Sequence, residues 1–272
     1  MSIKSSLASV AKKVVPGMYW ARKIRQFQSH FSEVEMRLLP YLCKKDKTSI
    51  DIGAAGGVFI ANLLGLSKYV IGFEPIPEDA EVIQSMVDST KSNAIIERVA
   101  LSDKTGEAIL KMIVNDSGRS TIEESNDLSD DATEKKGIRV PIRRLDDYNY
   151  ENIGFIKIDV EGHELSVLHG ARETIRKNMP NLLIEIEDRH KPHATQAVPA
   201  FLEELGYLSY FIHEGKLKSM EEFKVEVHQD SNNIGSYLDG YQRKGVYINN
   251  FIFVPASDSA KFNREVQSLN LA

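Results

Sequence analysis

The chain has 272 residues, is 42% hydrophobic and 27% charged, and carries a formal net charge of −5. The composition is that of a globular protein, and the acidic balance argues against a nucleic-acid partner. One cysteine excludes an internal disulfide and a cysteine-based metal cluster. No run reaches the ~20 apolar residues of a membrane-spanning helix. We expect a cytoplasmic protein without stable membrane insertion. The sequence leaves open whether the protein forms a homo-oligomer.

Residues 1–47 are predicted to form an N-terminal helical extension. Apolar side chains recur there at spacings of three and four residues, as on one face of a helix. They are Phe27, Phe31, Val34, Leu38 and Tyr41. Pro40 is expected near a bend or an end of the helix. Residues 10–31 also carry several basic side chains, which favour a docking helix with a solvated face or, alternatively, weak contact with a membrane surface.

From residue 48 to residue 272, strands and helices alternate in one predicted domain. The first strands are at 49–52, 69–73 and 94–99, with helices between them, and this order indicates a parallel sheet covered on both faces. Further buried strands follow at 155–160, 182–186, 207–212 and 247–254. The fold class is therefore α/β.

A different pattern interrupts this alternation. Two strand-like pieces, at 108–114 and 138–142, flank a polar linker at 115–137. A linker of that length is either functional or poorly ordered. The acidic part of the linker, from residue 123 to residue 134, is typical of a solvated segment.

The first strand leads into a glycine-rich turn at residues 51–57. A dinucleotide fingerprint would need glycine at positions 53, 55 and 58, and this chain has Gly53, Ala55 and Val58. Asp51 would repel a pyrophosphate and suits a cationic ligand such as S-adenosylmethionine. Glu74 ends the second strand, where an acid accepts hydrogen bonds from ribose hydroxyls. A generic nucleotide site is the alternative.

Asp159 ends the strand at 155–160 and is predicted to be catalytic together with His163, and Glu161, His163 and Glu164 follow the strand. The carboxyl ends of strands are where open α/β sheets bind ligands, so Asp159 is expected to face the cleft. His163 is a candidate general base because its ordinary pKa suits proton uptake near neutrality. Glu161 and Glu164 have the alternative role of capping the following helix.

A second group of acids and histidines follows the strand at 182–186. Asp159 and Glu187 together are predicted to hold a divalent ion, Mg²⁺ or Mn²⁺, through oxygen ligands. A salt bridge of these acids with Arg189 or Lys157 is the competing interpretation.

Three residues are predicted to bind the acceptor, namely Arg119, Glu161 and His190. Arg119 lies in the polar linker and suits a carboxylate or phosphate. Late aromatic and histidine side chains are either a sugar-stacking wall or core residues. They are Tyr207, Tyr210, Phe211, His213, His228, Tyr237, Tyr241 and Tyr247.

Five stretches of the chain resemble the FkbM family of methyltransferases. They are residues 50–57, 72–75, 99–103, 156–164 and 249–255, and the D-V-E-G-x-E core at 159–164 is the most specific. The family more often has Asn where this chain has Ala55. The resemblance implies a Rossmann-like class I methyltransferase with a seven-stranded, mostly parallel sheet and an antiparallel last strand. It also implies S-adenosylmethionine as cofactor.

The resemblance places Asp51, Gly53 and Glu74 in the donor site, and neighbouring positions complete the predicted set. These are Ala54, Gly56, Gly57, Pro75, Ala100 and Asp159. The expected activity is O-methylation of a sugar hydroxyl, with a hexuronic acid or another glycan unit as a candidate acceptor. A non-sugar metabolite, a non-catalytic nucleotide-binding module and a nicotinamide-dependent oxidoreductase are the alternatives.

Overall fold

The computed structural model describes residues 12, 14–29, 33–114, 116–126, 128, 134–234, 243–269 and 271. Twelve strands lie in these ranges. They are β1 (Thr48–Ile52), β2 (Tyr69–Phe73), β3 (Ala94–Glu97), β4 (Ala100–Leu101), β5 (Gly106–Ile113), β6 (Asp116–Thr121), β7 (Lys135–Arg143), β8 (Ile153–Ile158), β9 (Asn181–Glu185), β10 (Tyr207–His213), β11 (Lys216–Ser219) and β12 (Asn250–Pro255).

The α-helices of the same ranges are mostly short and connect the strands. They are α1 (Pro16–Ser29), α2 (Leu39–Leu42), α3 (Val58–Leu63), α4 (Pro77–Thr90), α5 (Glu164–Gly170), α6 (Arg172–Asn178), α7 (Ala194–Glu204), α8 (Val225–His228) and α9 (Ala256–Val266). Four 3₁₀ helices complete the helical elements of the described residues, at Val34–Leu38, Leu145–Tyr148, Met220–Glu222 and Ser231–Asn233.

The main sheet has the order β11-β10-β12-β9-β8-β1-β2-β3. The five neighbouring strands β9, β8, β1, β2 and β3 are parallel to one another. Strand β12 is antiparallel to both of its neighbours, β9 and β10. The α/β fold class and the antiparallel last strand are thus confirmed. The short β11 adds an eighth strand at one edge, because it forms a hairpin with β10.

The central strands are near-continuous hydrophobic runs, as expected for strands covered by helices on both faces. Every residue of β8 and of β12 is buried. One apolar cluster lies on each face of the sheet, and the two clusters include Phe155 and Ile156, neighbours whose side chains point to opposite faces.

A second sheet has the order β4-β7-β5-β6. The predicted strand at 94–99 ends early, at Glu97, and β4 belongs to this second sheet. The two strand-like pieces at 108–114 and 138–142 pair with each other, since β5 and β7 form an antiparallel ladder. The interpretation of residues 115–137 as a linker is wrong in its first part, because β6 pairs with β5 there.

The N-terminal segment packs against the main sheet and its helices. Trp20 of α1 is buried, and its indole N–H donates to Ser85 Oγ of α4 at 3.2 Å. Pro40 lies in the first turn of α2, where a proline is tolerated. Phe31 lies outside the described residues. Among the described residues, no helix combines the length and the apolar character needed to span a bilayer.

Candidate active site

A cavity of about 600 Å³ opens at the carboxyl ends of β1, β2 and β8. Open parallel sheets bind ligands at this edge. Five of the residues predicted to bind the donor line the cavity, and they are Gly53, Glu74, Pro75, Ala100 and Asp159. The walls of the cavity are partly apolar and include Ile52, Phe73, Val99 and Leu101. The cavity is covered by residues of the second sheet and of the segment that follows β6, namely Leu110, Gly118, Ser120 and Ile122.

The glycine-rich turn brings the backbone of β1 against the loop after β8. Gly53 has a φ of 81°, and a Cβ atom at this position would lie 1.8 Å from the carbonyl oxygen of Asp159. Only glycine therefore fits. Gly57, with a φ of 77°, is the N-cap residue of α3. The local sequence thus sets both the turn and the start of the helix.

Glu74 ties the end of β2 to the glycine-rich turn. Its Oε2 accepts from the backbone N–H of Ala55 and its Oε1 from that of Ile76, each at 2.7 Å. Burial raises the pKa of Glu74 to about 7 in spite of these two bonds. Each carboxylate oxygen keeps a further lone pair, which suits a ligand hydroxyl.

Ala55 adopts a φ of 42°, in the left-handed region. Asn tolerates this conformation better than other non-glycine residues, which gives a physical reason for the Asn that the family more often has here. The backbone N–H of Ala55 still reaches Glu74, so the turn keeps its shape.

Asp51 lies beneath the cavity and does not line it. The side chain is buried, its Oδ2 has no hydrogen-bond partner among the described residues, and in the sheet it is in register with Lys157. Burial raises the pKa of Asp51 to about 8, with Lys157 opposing the shift. Ala54, Gly56 and Gly57 are also absent from the lining residues and shape the turn.

Lys157 is a buried cation among acids. Its Nζ lies 3.4 Å from Asp159 Oδ2 and 4.9 Å from the centre of the Phe59 ring. Burial lowers the pKa of Lys157, but the surrounding carboxylates, Asp159 first, outweigh this and raise it. The salt bridge that was the alternative interpretation for Asp159 is present.

Glu187 is held by an arginine and a tyrosine. Arg189 binds both carboxylate oxygens, and the Tyr247 hydroxyl donates to Oε2. Burial raises the pKa of Glu187, but Arg189 and its other partners outweigh this and lower it to about 2. The carboxylate is therefore already charge-balanced.

The residues present do not fit a divalent ion at the predicted position. Asp159 faces Lys157 and Glu187 faces Arg189, so an ion would have to compete with a cation at each ligand. Hard divalent ions take several oxygen ligands, and no group of three or more acids, histidines or cysteines suited to a metal occurs in the described part of the chain. The predicted pair of ligands is engaged elsewhere.

Glu161 and His190, both predicted to bind the acceptor, contact each other. Glu161 Oε2 lies 2.9 Å from His190 Nδ1. Burial lowers the pKa of His190, but Glu161 outweighs this and raises it. Glu161 lines the cavity and His190 does not. Gly162 lies against His190, since a Cβ atom there would be 3.0 Å from its Cβ.

His163 is held by two residues that the sequence interpretation did not single out. Its Nε2 is 2.9 Å from Ser102 Oγ and its Nδ1 is 3.2 Å from Glu123 Oε2. Ser102 lies in one of the motif stretches, at 99–103, so a signal was present. Glu123 opens the acidic stretch that was interpreted as solvated, yet the residue is buried. Sequence alone did not show this contact.

Residues 121–126 dock onto the loop after β8. Thr121 Oγ1 and Asn126 Nδ2 both donate to the carbonyl oxygen of Glu161, each at 2.9 Å. Lys191 Nζ donates to Glu123 Oε1 at 2.7 Å. These bonds hold the segment over the site.

A polar groove of about 1480 Å³ lies on the other side of His163. Most of its lining residues are charged or hydroxyl-bearing. They are Ser102, Asp103, Lys104, Glu107, Lys111, Glu123, Glu124, Arg139, His163, Ser166 and Lys191. His163 lines the cavity as well as the groove, so a single imidazole faces both spaces.

Arg119 lines neither space, because β6 alternates and the cavity is lined by Gly118 and Ser120. The late aromatic residues lie mostly in the core. Tyr207 donates to the carbonyl oxygen of Pro180, and Phe211 packs on His228. Tyr237 and Tyr241 lie outside the described residues. The described aromatic residues therefore form no sugar-stacking wall along the groove.

The strand order, the antiparallel β12 and the cavity at β1, β2 and β8 define a Rossmann-like class I methyltransferase fold. A sequence model described as Methyltransferase FkbM domain matches residues 51–209, more than half of the chain. The chain belongs to this family of S-adenosylmethionine-dependent methyltransferases, which confirms the family resemblance.

Similar proteins include Methyltransferase sdnD of Sordaria araneosa, which is 28% identical over 169 residues. The match covers 50% of this chain and 64% of that protein, so the chain spans less than two thirds of its relative. The solved methyltransferase FkbM of Methylobacillus flagellatus KT has a TM-score of 0.49 and 16% identity, covering 76% of this chain and 43% of that one.

A second solved structure, TYW2 of M. jannaschii in complex with AdoMet, has a TM-score of 0.37 and 10% identity, covering 80% of this chain and 72% of that one. Because both TM-scores lie below 0.5, family membership rests on the sequence match.

Proposed function

We propose that the chain is an O-methyltransferase that methylates a hydroxyl of a sugar or sugar derivative bound in the polar groove, with His163 as the general base. The observation that carries the proposal is the position of His163. Its side chain lines both the cavity at the strand ends and the groove, so it stands where a methyl donor and an acceptor would meet.

The cavity fits S-adenosylmethionine in its chemistry. Apolar walls such as Phe73 and Leu101 suit an adenine ring, and Glu74 retains acceptor capacity for ribose hydroxyls. Asp159 lines the cavity near the turn, where its carboxylate can accept a hydrogen bond from the ammonium group of the ligand. The unpartnered oxygen of Asp51 lies next to this turn.

When bound, S-adenosylmethionine supplies an activated methyl group, so that an O–C bond forms as the S–C bond breaks and its electron pair stays on sulfur. The protein has to remove the proton of the acceptor hydroxyl, because a neutral alcohol is a weak nucleophile. Burial lowers the pKa of His163, with Glu123 opposing the shift, so the imidazole is unprotonated near neutrality. His163 is then ready to accept the proton.

The acceptor class follows from the groove. Its charged and hydroxyl-bearing walls suit a small molecule or a glycan unit with many hydroxyls, and they do not suit an apolar metabolite. Lys104 supplies a cation along the groove, and this supports a hexuronate carboxylate in place of the predicted Arg119.

Calorimetric titration with S-adenosylhomocysteine tests the donor site first. We expect binding that is unchanged by EDTA, because Asp159 and Glu187 are engaged by cations. Methyl transfer from labelled donor to a panel of sugars and uronic acids then tests the acceptor class. Donor binding with product only on non-sugar metabolites would refute the sugar assignment, and donor binding without any product would favour a non-catalytic module.

His163→Gln separates the base from the binding sites. We expect turnover to fall about 10²-fold, the usual contribution of a general base, with affinity for S-adenosylhomocysteine unchanged. His169→Gln is the matched control, since His169 is an exposed histidine on α5, the helix that His163 precedes. Turnover of His163→Gln equal to that of the control would remove His163 from the mechanism.

A further inference from the structure

Ser102, His163 and Glu123 form a continuous hydrogen-bonded chain. Ser102 follows β4, His163 precedes α5, and Glu123 follows β6, so three separate segments meet here. Ser102 Oγ lies 2.9 Å from Nε2 and Glu123 Oε2 lies 3.2 Å from Nδ1. Both nitrogens of the imidazole therefore have a polar partner at hydrogen-bonding distance.

Glu123 decides which nitrogen carries the proton. Its Oε1 accepts from Lys191 Nζ at 2.7 Å and from Ser125 Oγ at 2.8 Å. Burial raises the pKa of Glu123, but these bonds and the bond with His163 outweigh it and lower the pKa to about 2. An ionised carboxylate only accepts hydrogen bonds. Nδ1 must then donate, which leaves Nε2 without a proton and facing Ser102.

The same contacts accommodate a second protonation state. In neutral His163, the hydroxyl of Ser102 donates to Nε2. After proton uptake, Nε2–H donates to Ser102 Oγ, and the serine proton turns to Asp103 Oδ1, which lies 3.1 Å away. Each donor keeps a partner in both states, so a proton can arrive without leaving a buried polar group unsatisfied.

We propose that Glu123 is a positioning residue that fixes the Nδ1–H form of His163, and that Ser102 and Asp103 form a relay through which Nε2 takes up the acceptor proton. This inference rests on the proposed function. The hydroxyl proton of the acceptor passes to Nε2, directly or through Ser102, while the oxygen keeps its electron pair for the new O–C bond. Because His163 lines the groove, the proton can then leave to solvent through it.

The charged groups that face His163 are Glu123, Asp103 and Lys191. The two acids raise its pKa, and Lys191 lowers it. Because Lys191 is bonded to Glu123, loss of the Glu123 charge leaves this lysine facing the imidazole without compensation. We therefore expect Glu123→Gln to lower the pKa of His163 further.

Glu123→Gln also has a defined geometry. Lys191 and Ser125 both donate to the Oε1 position, so the carbonyl oxygen of the new amide has to occupy that place. The NH₂ group then faces Nδ1 and donates to it, which forces the proton onto Nε2. The substitution therefore predicts a change of tautomer in His163, an effect that a purely structural role of Glu123 would not produce.

The test is ¹⁵N NMR of the full chain labelled at histidine, with the His163 signals assigned through His163→Gln. We expect the Nδ1–H tautomer in the wild type, the Nε2–H tautomer in Glu123→Gln, and the wild-type tautomer in Glu124→Gln, whose substituted side chain is exposed. Nε2–H in the wild type, or an unchanged tautomer in Glu123→Gln with the other histidine signals intact, would overturn the proposal.

Ser102→Ala provides a second test that does not disturb Nδ1. The tautomer should stay the same, while the pKa of His163 should fall because the imidazolium loses the acceptor of Nε2–H. An unchanged or higher pKa would contradict the relay. Both measurements need no acceptor, so they remain informative if His163→Gln turns out to leave methyl transfer intact and the proposed function fails.

Once an acceptor is found, turnover adds a third readout. We expect Glu123→Gln to lower kcat at least about 10-fold, with affinity for S-adenosylhomocysteine unchanged and a shifted pH profile. A wild-type kcat and pH profile in this variant would refute the positioning role.

Discussion

The cavity has two sides that are built in different ways. The floor consists of the ends of β1, β2 and β8 with the loops at 51–57 and 159–164, and backbone fit shapes it, as at Gly53. The cover consists of β5, β6 and residues 121–126, and side-chain hydrogen bonds attach it, as from Thr121 to Glu161.

Because of this difference, substitutions in the floor and in the cover should affect stability to different extents. A residue of the floor supports the main sheet and shapes the cavity, so we expect changing it to affect folding and ligand binding together. The cover is attached to the floor by a few side-chain hydrogen bonds, each of which contributes about 1 kcal/mol. Changes to the cover should therefore cost less stability than changes to the floor.

Gly53→Ala should give the largest effect, because the new Cβ would overlap the carbonyl oxygen of Asp159 at 1.8 Å and the φ of 81° is strained for alanine. We expect a loss of about 4 kcal/mol or more in the free energy of unfolding and loss of S-adenosylhomocysteine binding. Gly56→Ala is the control, since its Cβ meets nothing within 4 Å. Equal stability of the two variants in urea would show that close backbone fit at Gly53 does not shape the floor.

Thr121→Val tests the attachment of the cover. Its hydroxyl donates to the Glu161 carbonyl and accepts from the Glu123 backbone N–H, each at 2.9 Å. We expect a loss of about 1–2 kcal/mol and faster amide hydrogen exchange confined to the cover. Thr105→Val, which removes an exposed hydroxyl bonded to Asp147, is the control. Exchange that rises equally in the main sheet would show that the two sides do not open separately.

The pH dependence of stability should differ between the two sides. Asp51 and Glu74 of the floor have pKa values raised to about 8 and about 7, so they ionise earlier in the unfolded chain. Their contribution lowers stability as the pH rises from about 4 to about 8. Glu123 of the cover, with its pKa lowered to about 2, stabilises the fold above about pH 4 and loses this effect as the pH falls.

Glu123→Gln makes this contrast measurable. We expect it to cost about 1 kcal/mol at pH 7, after allowance for solvent screening, and the difference from the wild type should shrink between pH 5 and pH 2. Chemical unfolding at several pH values measures this. A cost that stays constant over this range would mean that the charge of Glu123 does not attach the cover.

Ala55→Asn should give the smallest effect and the opposite sign. Asn tolerates the φ of 42° better than Ala, so we expect a gain of about 0.5–1 kcal/mol, seen as a slightly higher Tm. Ala55→Val places a β-branched residue at the same strained position and should lower the Tm. If both variants shift the Tm alike, strain at this residue does not limit the stability of the floor.

The sequence predicted the floor well. Hydrophobic runs mark β1, β2, β8 and β9, and the strand ends place Gly53, Glu74 and Asp159 at one edge. These features are local, because a buried strand and a tight turn each leave a pattern within a few residues. The Asp159–Glu187 metal site is not supported, because Lys157 and Arg189, the salt-bridge partners that the sequence offered as the alternative, neutralise the two acids.

The cover was predicted less well. Its strands β5 and β7 were recognised as strand-like, but β6 and the burial of Glu123 were not. The chain around Glu123 is polar and acidic. Such a stretch is predicted to be exposed to solvent unless the residues that contact it are known. Those partners, His163 and Lys191, lie 40 and 68 positions away in the sequence.

By itself the sequence determined the α/β class, the family and the strand ends that carry the cavity, because these follow from short patterns of apolar residues, glycines and acids. Only the tertiary structure decided that His163 stands between a cavity and a polar groove, held by Ser102 and Glu123. The physical reason is that hydrogen bonds between distant segments depend on how the two sheets pack, and no local pattern records that packing.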